Sequence, residues 1–399
     1  MAASRAVIGV VGAGTMGAGI AQLALESGHE VVLNDIDEEA LERGRTRIRQ
    51  GLARRAAKLD LDADSIDDWV DGRLAGLREA VSLDALGAEA EVIVEAALED
   101  LDLKRTIFAV LDAAAPPESI LATNTSALSV AAIAEATNRP ERVLGLHFFN
   151  PAPIMPLVEV VFAAATDPAA AARAAALVEG WGKTAVRCAD TPGFIVNRVN
   201  RPFTLEALAL LEEGAASVEA IDAAVTAEGF PMGPFELMDL VGIDVNLAAA
   251  RGVWEGLGRP DRLRPSRIQE RLVDEGRLGR KTGAGFYLYD DGRRVSVADE
   301  FATGSSTIGS STLPSSTLGD DAIAERILLA VVNEAWYALG DRVATKTDID
   351  LALRLGAGHP IGPFERTDRL GGSVAIAAAL EALAASGDRF LPAPSLGGT

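Results

Sequence analysis

The chain has 399 residues, of which 49% are hydrophobic and 24% are charged, and this composition is typical of a globular protein with two or three domains. Its formal net charge of −21 disfavours nonspecific binding to nucleic acid and to anionic membranes, and its apolar segments fall short of the ~20 residues that cross a bilayer. The single cysteine, Cys188, excludes an intrachain disulfide and three scattered histidines disfavour a metal site, so we expect a cytoplasmic protein without a metal.

The first segment has the pattern of an α/β domain. Residues 6–11 form a β-branched run, glycine-rich residues 12–17 follow at once, and an alanine-rich amphipathic stretch extends to about Ser27. Residues 30–35 form a second apolar run that ends on an acid, so the order predicts a βαβ unit at the start of a parallel sheet. Further strands are predicted at 92–94, 120–121, 143–146 and 157–161. We therefore predict a Rossmann-like α/β domain over residues 1–187.

The glycine-rich turn predicts a dinucleotide site. Gly-x-Gly-x-x-Gly here follows a strand, opens a helix and precedes an acid that closes the second strand. Gly12 permits the tight turn, Gly14 lets backbone N–H groups approach a pyrophosphate, and Gly17 allows close helix–strand packing. Asp35 is expected to bind the adenosine ribose and to repel a 2′-phosphate, which favours NAD over NADP. We assign the cofactor contacts of this region to Gly12, Gly14, Thr15, Met16, Gly17 and Asp35. The alternative is a glycine-rich turn without a nucleotide.

A basic segment follows the second strand. Seven arginine and lysine residues lie between Arg43 and Lys58, and in a helix Arg47, Gly51, Arg54 and Lys58 share one face. Such a face on an acidic protein suits a small polyanion. The sequence equally allows a solvated face that pairs with the glutamates at positions 38, 39 and 42.

His147 and Glu159 are the candidate proton-transfer pair. Glu159 lies inside the apolar run Leu-Val-Glu-Val-Val, which predicts a strand. A carboxylate there is costly to bury without a partner, and a partnered carboxylate holds an imidazole in one tautomer and stabilises its charged form. The alternative is a solvent-facing glutamate and a core histidine that bonds to the backbone.

Beyond residue 187 the sequence changes to long helical patterns that contain an internal repeat. Pro-Met-Gly-Pro-Phe-Glu at 231–236 recurs as Pro-Ile-Gly-Pro-Phe-Glu at 360–365. We therefore predict two related all-α modules, at 188–290 and 321–399. Three Ser-Ser-Thr pentads between them predict a flexible or extended linker over 291–320. His29 is expected in an exposed turn, and His359, which takes the place of Phe230 in the repeat, is expected to pack.

Several motifs in order resemble those of the 3-hydroxyacyl-CoA dehydrogenases. Besides the glycine turn, they are Thr-Asn-Thr-Ser-Ala at 123–127, His-Phe-Phe-Asn-Pro at 147–151, Leu-Val-Glu-Val at 157–160, Thr-Pro-Gly-Phe-Ile-Val-Asn-Arg at 191–198 and Gly-Arg-Lys-Thr-Gly-Ala-Gly-Phe-Tyr at 279–287. The chain looks most like the bacterial 3-hydroxybutyryl-CoA dehydrogenase branch, in a form with a duplicated C-terminal module. The resemblance implies NAD-dependent oxidation of an (S)-3-hydroxyacyl-CoA, of short chain length, by a homo-oligomer that is most simply a dimer.

The same resemblance implies roles for single residues. His147 is the implied general base and Glu159 the carboxylate that orients it. The implied substrate contacts are Ser126 and Asn197. Positions associated with NAD in the family are matched by Glu99, Lys104 and Lys281, and Asn150 is implied to position the nicotinamide end of the cofactor or the histidine.

The resemblance also implies a ligand for the basic face. Lys58 matches a lysine that contacts coenzyme A, and Arg54 on the same face suits its phosphates. A neighbouring serine contact of the family is Gly51 here, so that contact is lost.

Other functions fit parts of the pattern. One is a dehydrogenase of the same fold for a hydroxy acid without coenzyme A, and another is a 3-hydroxyadipyl-CoA dehydrogenase. A non-enzymatic alternative is a nucleotide-binding structural protein like the lens-crystallin relatives of the family. The second helical module has Glu325 where the first has Asn197. We expect that module to be structural and to supply a packing surface that a second subunit would otherwise provide.

Overall fold

The computed structural model describes residues 5–59, 61–302, 318–384 and 387–397. The chain forms two compact units, and the division falls between Asp190 and Thr191. This division lies three residues beyond the predicted boundary at residue 187, because the strand that crosses that boundary continues to Ala189. The pentads of the predicted linker, up to residue 317, lie outside the described residues. None of the described helices is long and apolar enough to cross a membrane.

An eight-stranded sheet organises the first unit, in the order β3-β2-β1-β4-β5-β6-β7-β8. Its strands are β1 Val7–Val11, β2 Glu30–Asn34, β3 Leu77–Glu79, β4 Val92–Glu95, β5 Ile120–Thr123, β6 Val143–Phe148, β7 Leu157–Phe162 and β8 Thr184–Ala189. Neighbouring strands are parallel except β6 and β7, which are antiparallel. The helices of this unit are α1 Thr15–Glu26, α2 Glu38–Ala56, α3 Ala63–Leu74, α4 Leu83–Glu89, α5 Leu101–Ala114, α6 Val130–Ala134 and α7 Pro168–Gly180. The predicted Rossmann-like α/β fold is confirmed, with β3 and β8 as additions.

The sheet forms because its central strands are apolar on both faces. Ile8, Val31 and Val94 have no solvent exposure, as expected of parallel strands that are covered on both sides. Aspartates at the starts of helices support the connections: Asp37 caps α2 and Asp100 caps α5 through backbone N–H groups. The strand order reverses beside β1, between β2 and β4. The crevice beyond the carboxyl ends of strands at such a reversal is the usual ligand site of these folds.

The second unit is mainly helical. Its helices are α8 Val196–Val199, α9 Arg201–Glu212, α10 Val218–Ala227, α11 Pro234–Val241, α12 Ile243–Gly256, α13 Arg267–Asp274, α14 Asp320–Gly340, α15 Lys346–Ala357, α16 Pro363–Arg369 and α17 Ser373–Leu383. An antiparallel hairpin of β9 Tyr287–Asp290 and β10 Arg293–Val297 adds to the predicted helices. β10 and the buried Phe301 lie within the first part of the segment predicted as a linker from residue 291.

Both copies of the repeated motif adopt the same capped helix start. The Asp222 carboxylate accepts two N–H groups from the first turn of α11 at 2.9 and 3.1 Å. Asp350 accepts two from the first turn of α16 at 2.7 and 3.0 Å. A Cβ at Gly233 would lie 2.3 Å from its capping aspartate, and one at Gly362 would lie 2.2 Å from its own. The repeat in the sequence is therefore also a repeat in the structure.

Two reciprocal ion pairs join the repeats. Arg198 on α8 donates from Nε to Glu334 on α14 at 2.9 Å, and both side chains are 1% exposed. Arg326 on α14 donates from Nε to Glu206 on α9 at 2.5 Å. Arg326 and Glu334 take in the second module the places of Arg198 and Glu206 in the first, each 128 residues later. The two ion pairs are equivalent when the modules are exchanged, which is the pattern that a twofold axis produces. The modules therefore pack about an approximate twofold axis within one chain.

The expected exposure of His29 is wrong. Its side chain is 4% exposed, and its Nδ1 accepts the Ala6 N–H at 3.1 Å, so it links the chain before β1 to the start of β2. Burial lowers the pKa of this imidazole. His359 packs as expected, against Phe203 and Phe230, and bonds through Nε2 to Asn200 Oδ1 at 2.8 Å.

We predict that His359→Phe flattens the pH dependence of stability. Burial lowers the pKa of His359 to about 3, and Arg366 acts in the same direction. The folded imidazole therefore stays neutral where an unfolded histidine takes a proton. As the pH falls below about 6, the parent should lose up to about 1.4 kcal/mol of unfolding free energy per pH unit from this residue. Urea unfolding at about pH 7 and about pH 5 measures the difference, which should be smaller in the variant.

Asn200→Ala is the control for this prediction. It removes the hydrogen-bond partner but keeps the buried imidazole, so it should lower stability while retaining the steep pH dependence of the parent. Equal pH dependence in His359→Phe and the parent would contradict the assignment.

Candidate functional site

The glycine-rich turn joins β1 to the N-terminus of α1. Gly12 has a φ of +95°, and a Cβ there would lie 2.7 Å from a backbone carbonyl oxygen after β4. A Cβ at Gly17 would lie 1.8 Å from the Gly12 carbonyl oxygen, so only glycine lets α1 approach the turn. Gly14 has open space where a Cβ would point, directly before Thr15 and Met16 at the helix start. The turn thus leaves room beside the first N–H groups of α1, as a bound pyrophosphate requires.

Asp35 lies beside this turn because β2 is parallel to β1. Its Oδ2 accepts the Ala13 N–H at 2.5 Å and its Oδ1 accepts the Ile36 N–H at 2.6 Å. A carboxylate held in that position fits the ribose hydroxyls of a dinucleotide and repels a 2′-phosphate. The glycine turn and Asp35 therefore fit NAD.

His147 and Glu159 are direct partners across the antiparallel strands β6 and β7. The imidazole Nδ1 lies 2.6 Å from Glu159 Oε2, His147 is 4% exposed, and Glu159 has no exposure. Opposite residues of an antiparallel pair project from the same face, so the register itself creates the contact. A carboxylate that accepts a hydrogen bond from Nδ1–H favours the tautomer in which Nε2 carries no proton. Nε2 can then take a proton from another group. The alternative of a solvent-facing glutamate is wrong.

Ser126 lies next to the second nitrogen of this imidazole. Its Oγ is 3.1 Å from His147 Nε2, in the loop that follows β5. Glu99, which follows β4, holds this loop: its Oε1 accepts the Thr125 hydroxyl at 2.5 Å and the N–H groups of Ser126 and Ala127 at 2.9 and 3.2 Å. Because β4, β5 and β6 are parallel neighbours, their carboxyl ends bring these side chains together.

A buried charge pair lies beneath Glu99, and the sequence reasoning missed half of it. Glu95 ends β4 with no exposure, and Lys104 on α5 is 1% exposed. Lys104 Nζ donates to the two Glu95 oxygens at 2.8 and 3.0 Å and lies 3.4 Å from Glu99 Oε2. Glu95 also accepts the Thr123 hydroxyl at 2.8 Å. The signal in the sequence was the acid Glu95, which directly follows the apolar run predicted as a strand at 92–94.

The remaining catalytic and cofactor candidates are divided between the units. Asn150 is exposed two residues beyond β6 in the first unit. Asn197 lies on α8 in the second unit. Lys281 is in the same unit, where its Nζ bonds to the two Asp244 carboxylate oxygens at 2.6 and 2.8 Å.

Arg54 and Lys58 are exposed in the last turn of α2 and just beyond it. Other arginines of this helix are paired, Arg45 with Glu79 at 2.8 Å and Arg49 with Asp71 at 2.7 Å. Within the described residues, no ion pair holds Arg54 or Lys58. Arg47, the other cation of the basic face, is in no ion pair there either and donates to the Ala13 carbonyl oxygen at 3.4 Å, so Arg54 and Lys58 are the two cations at the C-terminal end of the face that are available to an anion.

The serine contact that the family has near this face is replaced by packing. A Cβ at Gly51 would lie 1.9 Å from Gln22 Oε1, so the buried Gln22 side chain fills the space. Gln22 in turn donates from Nε2 to Glu26 at 2.6 Å. A serine at position 51 would therefore clash with Gln22 of α1.

Comparison with known proteins gives consistent matches along the chain. The model of the 3-hydroxyacyl-CoA dehydrogenase NAD-binding domain matches residues 7–191, and that of the C-terminal domain matches 193–289 and 323–396. The chain is 38% identical to a 3-hydroxyadipyl-CoA dehydrogenase of Escherichia coli K12, over 91% of this chain and 90% of that protein. It is 40% identical to a 3-hydroxybutyryl-CoA dehydrogenase of Bradyrhizobium diazoefficiens, over 74% of this chain and 99% of that protein.

A solved structure is similar over both units. The crystal structure of 3-hydroxybutyryl-CoA dehydrogenase from Escherichia coli K12 matches with a TM-score of 0.87 at 36% identity, and covers 99% of this chain and 98% of its own. The similarity therefore includes the second repeat as well as the NAD-binding domain.

We predict that Lys104→Met lowers the unfolding free energy by about 3 kcal/mol, because it leaves buried Glu95 without a cation. The double variant Glu95→Gln with Lys104→Met should lose less than the single variant, since no charge is then left buried. Urea unfolding of the two variants and the parent measures both losses. An equal loss in the single and double variants would mean that packing, not charge, explains the effect.

Proposed function

Because the chain belongs to the 3-hydroxyacyl-CoA dehydrogenase family and is an NAD-dependent oxidoreductase, we propose that it oxidises short-chain (S)-3-hydroxyacyl-CoA esters such as 3-hydroxybutyryl-CoA, with His147 as general base. The observation that carries this proposal is the buried 2.6 Å contact between His147 Nδ1 and Glu159 Oε2. It gives an imidazole whose other nitrogen, Nε2, can take a proton while its new charge is stabilised by a carboxylate.

The proton path follows from this geometry. NAD held at the glycine turn and Asp35 would supply the hydride acceptor for C3 of the substrate. His147 Nε2 takes the proton of the C3 hydroxyl, and Glu159, which has no solvent exposure, offsets the imidazolium charge. In the reverse direction the imidazolium returns the proton to the carbonyl oxygen.

Ser126 and Asn197 complete the substrate contacts in this proposal. Ser126 Oγ is 3.1 Å from Nε2, so a substrate hydroxyl that bonds to Nε2 lies within reach of the serine. Glu99 holds the backbone on either side of that serine. Asn197, by its match to the family motif, is the second proposed substrate contact, and Asn150 and Lys281 are assigned to the cofactor by the same resemblance.

The coenzyme A end is assigned to Arg54 and Lys58. They are exposed and within the described residues are held by no ion pair, whereas neighbouring arginines on α2 are paired. Two unpaired cations near one helix end suit phosphate groups. A substrate without coenzyme A would leave them without a role.

A second candidate substrate is 3-hydroxyadipyl-CoA. The E. coli relative of that name aligns over 91% of this chain, including the second module, whereas the Bradyrhizobium 3-hydroxybutyryl-CoA dehydrogenase covers 74%. The values of kcat/KM for acetoacetyl-CoA and 3-oxoadipyl-CoA with NADH decide between them: a higher value for acetoacetyl-CoA supports the proposed short chain. A higher value for the dicarboxylic ester would replace it.

A homo-oligomer, most simply a dimer, and a cytoplasmic location are further parts of the proposal. They rest on the family resemblance and the composition. Sedimentation velocity of the purified chain tests the first, and a monomer would remove it.

We predict that His147→Gln lowers kcat/KM for acetoacetyl-CoA by roughly 10²- to 10⁴-fold, because glutamine cannot transfer the proton. NADH binding, measured by fluorescence titration, should be unchanged. Glu159→Gln keeps the imidazole but weakens its orientation and charge stabilisation, so its loss should be smaller. Near-parent activity in His147→Gln would rule out the general base.

We predict that reversing Arg54 and Lys58 to glutamate raises KM for acetoacetyl-CoA by about 10-fold or more, through loss and reversal of two phosphate contacts. The N-acetylcysteamine thioester of acetoacetate lacks those phosphates and should be reduced equally by variant and parent. Reversal of Arg45 and Arg49 on the same helix is the control for charge alone. Equal KM effects from the two pairs of reversals would remove the assignment.

A further inference from the structure

We propose that the second helical module positions Asn197 for the reaction, through a buried bond from its Glu334 to Arg198. Asn197 and Arg198 are adjacent on α8, and Glu334 lies on α14 of the other module. Glu334 is thus a positioning residue that acts on the substrate contact through its neighbour. The inference rests on the proposed function, since it takes Asn197 as a substrate contact.

The Arg198 side chain is held at two points by α14 and its end. Its Nε donates to Glu334 Oε1 at 2.9 Å, and its Nη2 donates to Asp341, which follows α14. Arg198 and Glu334 are each 1% exposed, so water does not compete for the bond. Glu334 is itself held by Arg262, whose Nε donates to Oε2 at 2.6 Å. The arginine next to Asn197 therefore has one fixed position.

A second bond to the same module lies on the C-terminal side of α8. Asn200, the residue after the helix, accepts from His359 Nε2 at 2.8 Å, and His359 is 6% exposed. The second module thus bonds to this segment at Arg198 and at Asn200.

The short length of α8 makes these bonds decisive. α8 has a single turn and is joined to α9 through Asn200 alone, so the bonds of Arg198 to Glu334 and of Asn200 to His359 act on that turn and on its junction with α9. A displacement of about 1 Å in a group that contacts the reacting centre can lower the rate by roughly 100-fold. Loss of the Glu334 bond should therefore reach the reaction through Asn197 without any change at His147.

The twofold symmetry of the unit supplies a matched control. Glu206 binds Arg326 and Arg389 as Glu334 binds Arg198 and Arg262, and its exposure is 3%. The residue before Arg326, however, is the exposed Glu325 and not an asparagine. The two glutamates have the same chemistry and burial, but only one is linked to a candidate substrate contact.

The test compares Glu334→Gln with Glu206→Gln in the full-length protein. Both should lower the urea midpoint by similar amounts, because each removes the charge that two buried or half-buried arginines share. Glu334→Gln should lower kcat with acetoacetyl-CoA by roughly 10-fold or more, with KM changed less, whereas Glu206→Gln should stay within about 2-fold of the parent. The affinity for NADH should be the same in all three proteins.

Two further measurements separate positioning from general loosening. In an Asn197→Ala background, Glu334→Gln should have no additional effect on kcat, since the group it positions is gone. Amide hydrogen exchange should rise over residues 195–200 in Glu334→Gln and over the first turns of α14 in Glu206→Gln. If Glu334→Gln does not fold, Asp341→Asn and Glu213→Gln, which alter the half-exposed ends of the same two networks, replace the pair.

The outcomes are distinct. Equal kcat losses in the two glutamate variants, or none in either, overturn the inference and leave the proposed function intact. A parent protein that reduces neither acetoacetyl-CoA nor 3-oxoadipyl-CoA overturns the proposed function and the inference with it.

Discussion

The buried contact between His147 and Glu159 is the constraint on which the reaction site depends. A carboxylate without solvent exposure is stable only when it is hydrogen-bonded, and the imidazole 2.6 Å away is its partner. The contact exists because β6 and β7 run antiparallel in a sheet whose other neighbours are parallel, which places the two residues in register. A parallel pair at this point would not set them directly opposite each other in this way. The antiparallel pairing of β6 and β7 therefore places Glu159 beside the imidazole that is proposed to accept the proton.

The segments that follow the carboxyl ends of β4 and β5 carry the other described side chains near this imidazole. The loop after β5 carries Ser126, the segment after β4 carries Glu99, and the end of β4 carries Glu95. Lys104 joins the two glutamates from α5, and Glu99 passes that restraint to the loop that holds the serine. The network has a cost, since a buried ion pair replaces well-solvated charges. Its benefit is a serine hydroxyl held at hydrogen-bond distance from His147 Nε2.

The helical unit depends on ion pairs between its two modules. Each module carries an arginine whose partner is a glutamate of the other, so neither module has its charges satisfied alone. Because both modules lie in one chain, this interface forms within it, and the sequences of the two modules can differ. They do differ at one relevant place, since the first keeps Asn197 and the second has Glu325. In the proposed mechanism the second module therefore acts on the reaction through its bonds to Arg198 and Asn200 of the first.

The sequence alone was sufficient for features that depend on neighbours in the chain. The glycine turn, Asp35, the βαβ order and the repeat are local patterns whose geometry follows from residue type and spacing, and the family motifs identified His147 and Glu159. Sequence reasoning failed where distant segments decide: His29 is buried by the residues before β1, β8 extends the sheet past residue 187, and Glu95 matters because α5 brings Lys104 onto it. The bond from Arg198 to Glu334 joins positions 136 residues apart. No local pattern predicts such a contact, because packing of the two modules, and not the preference of either segment, places those side chains together.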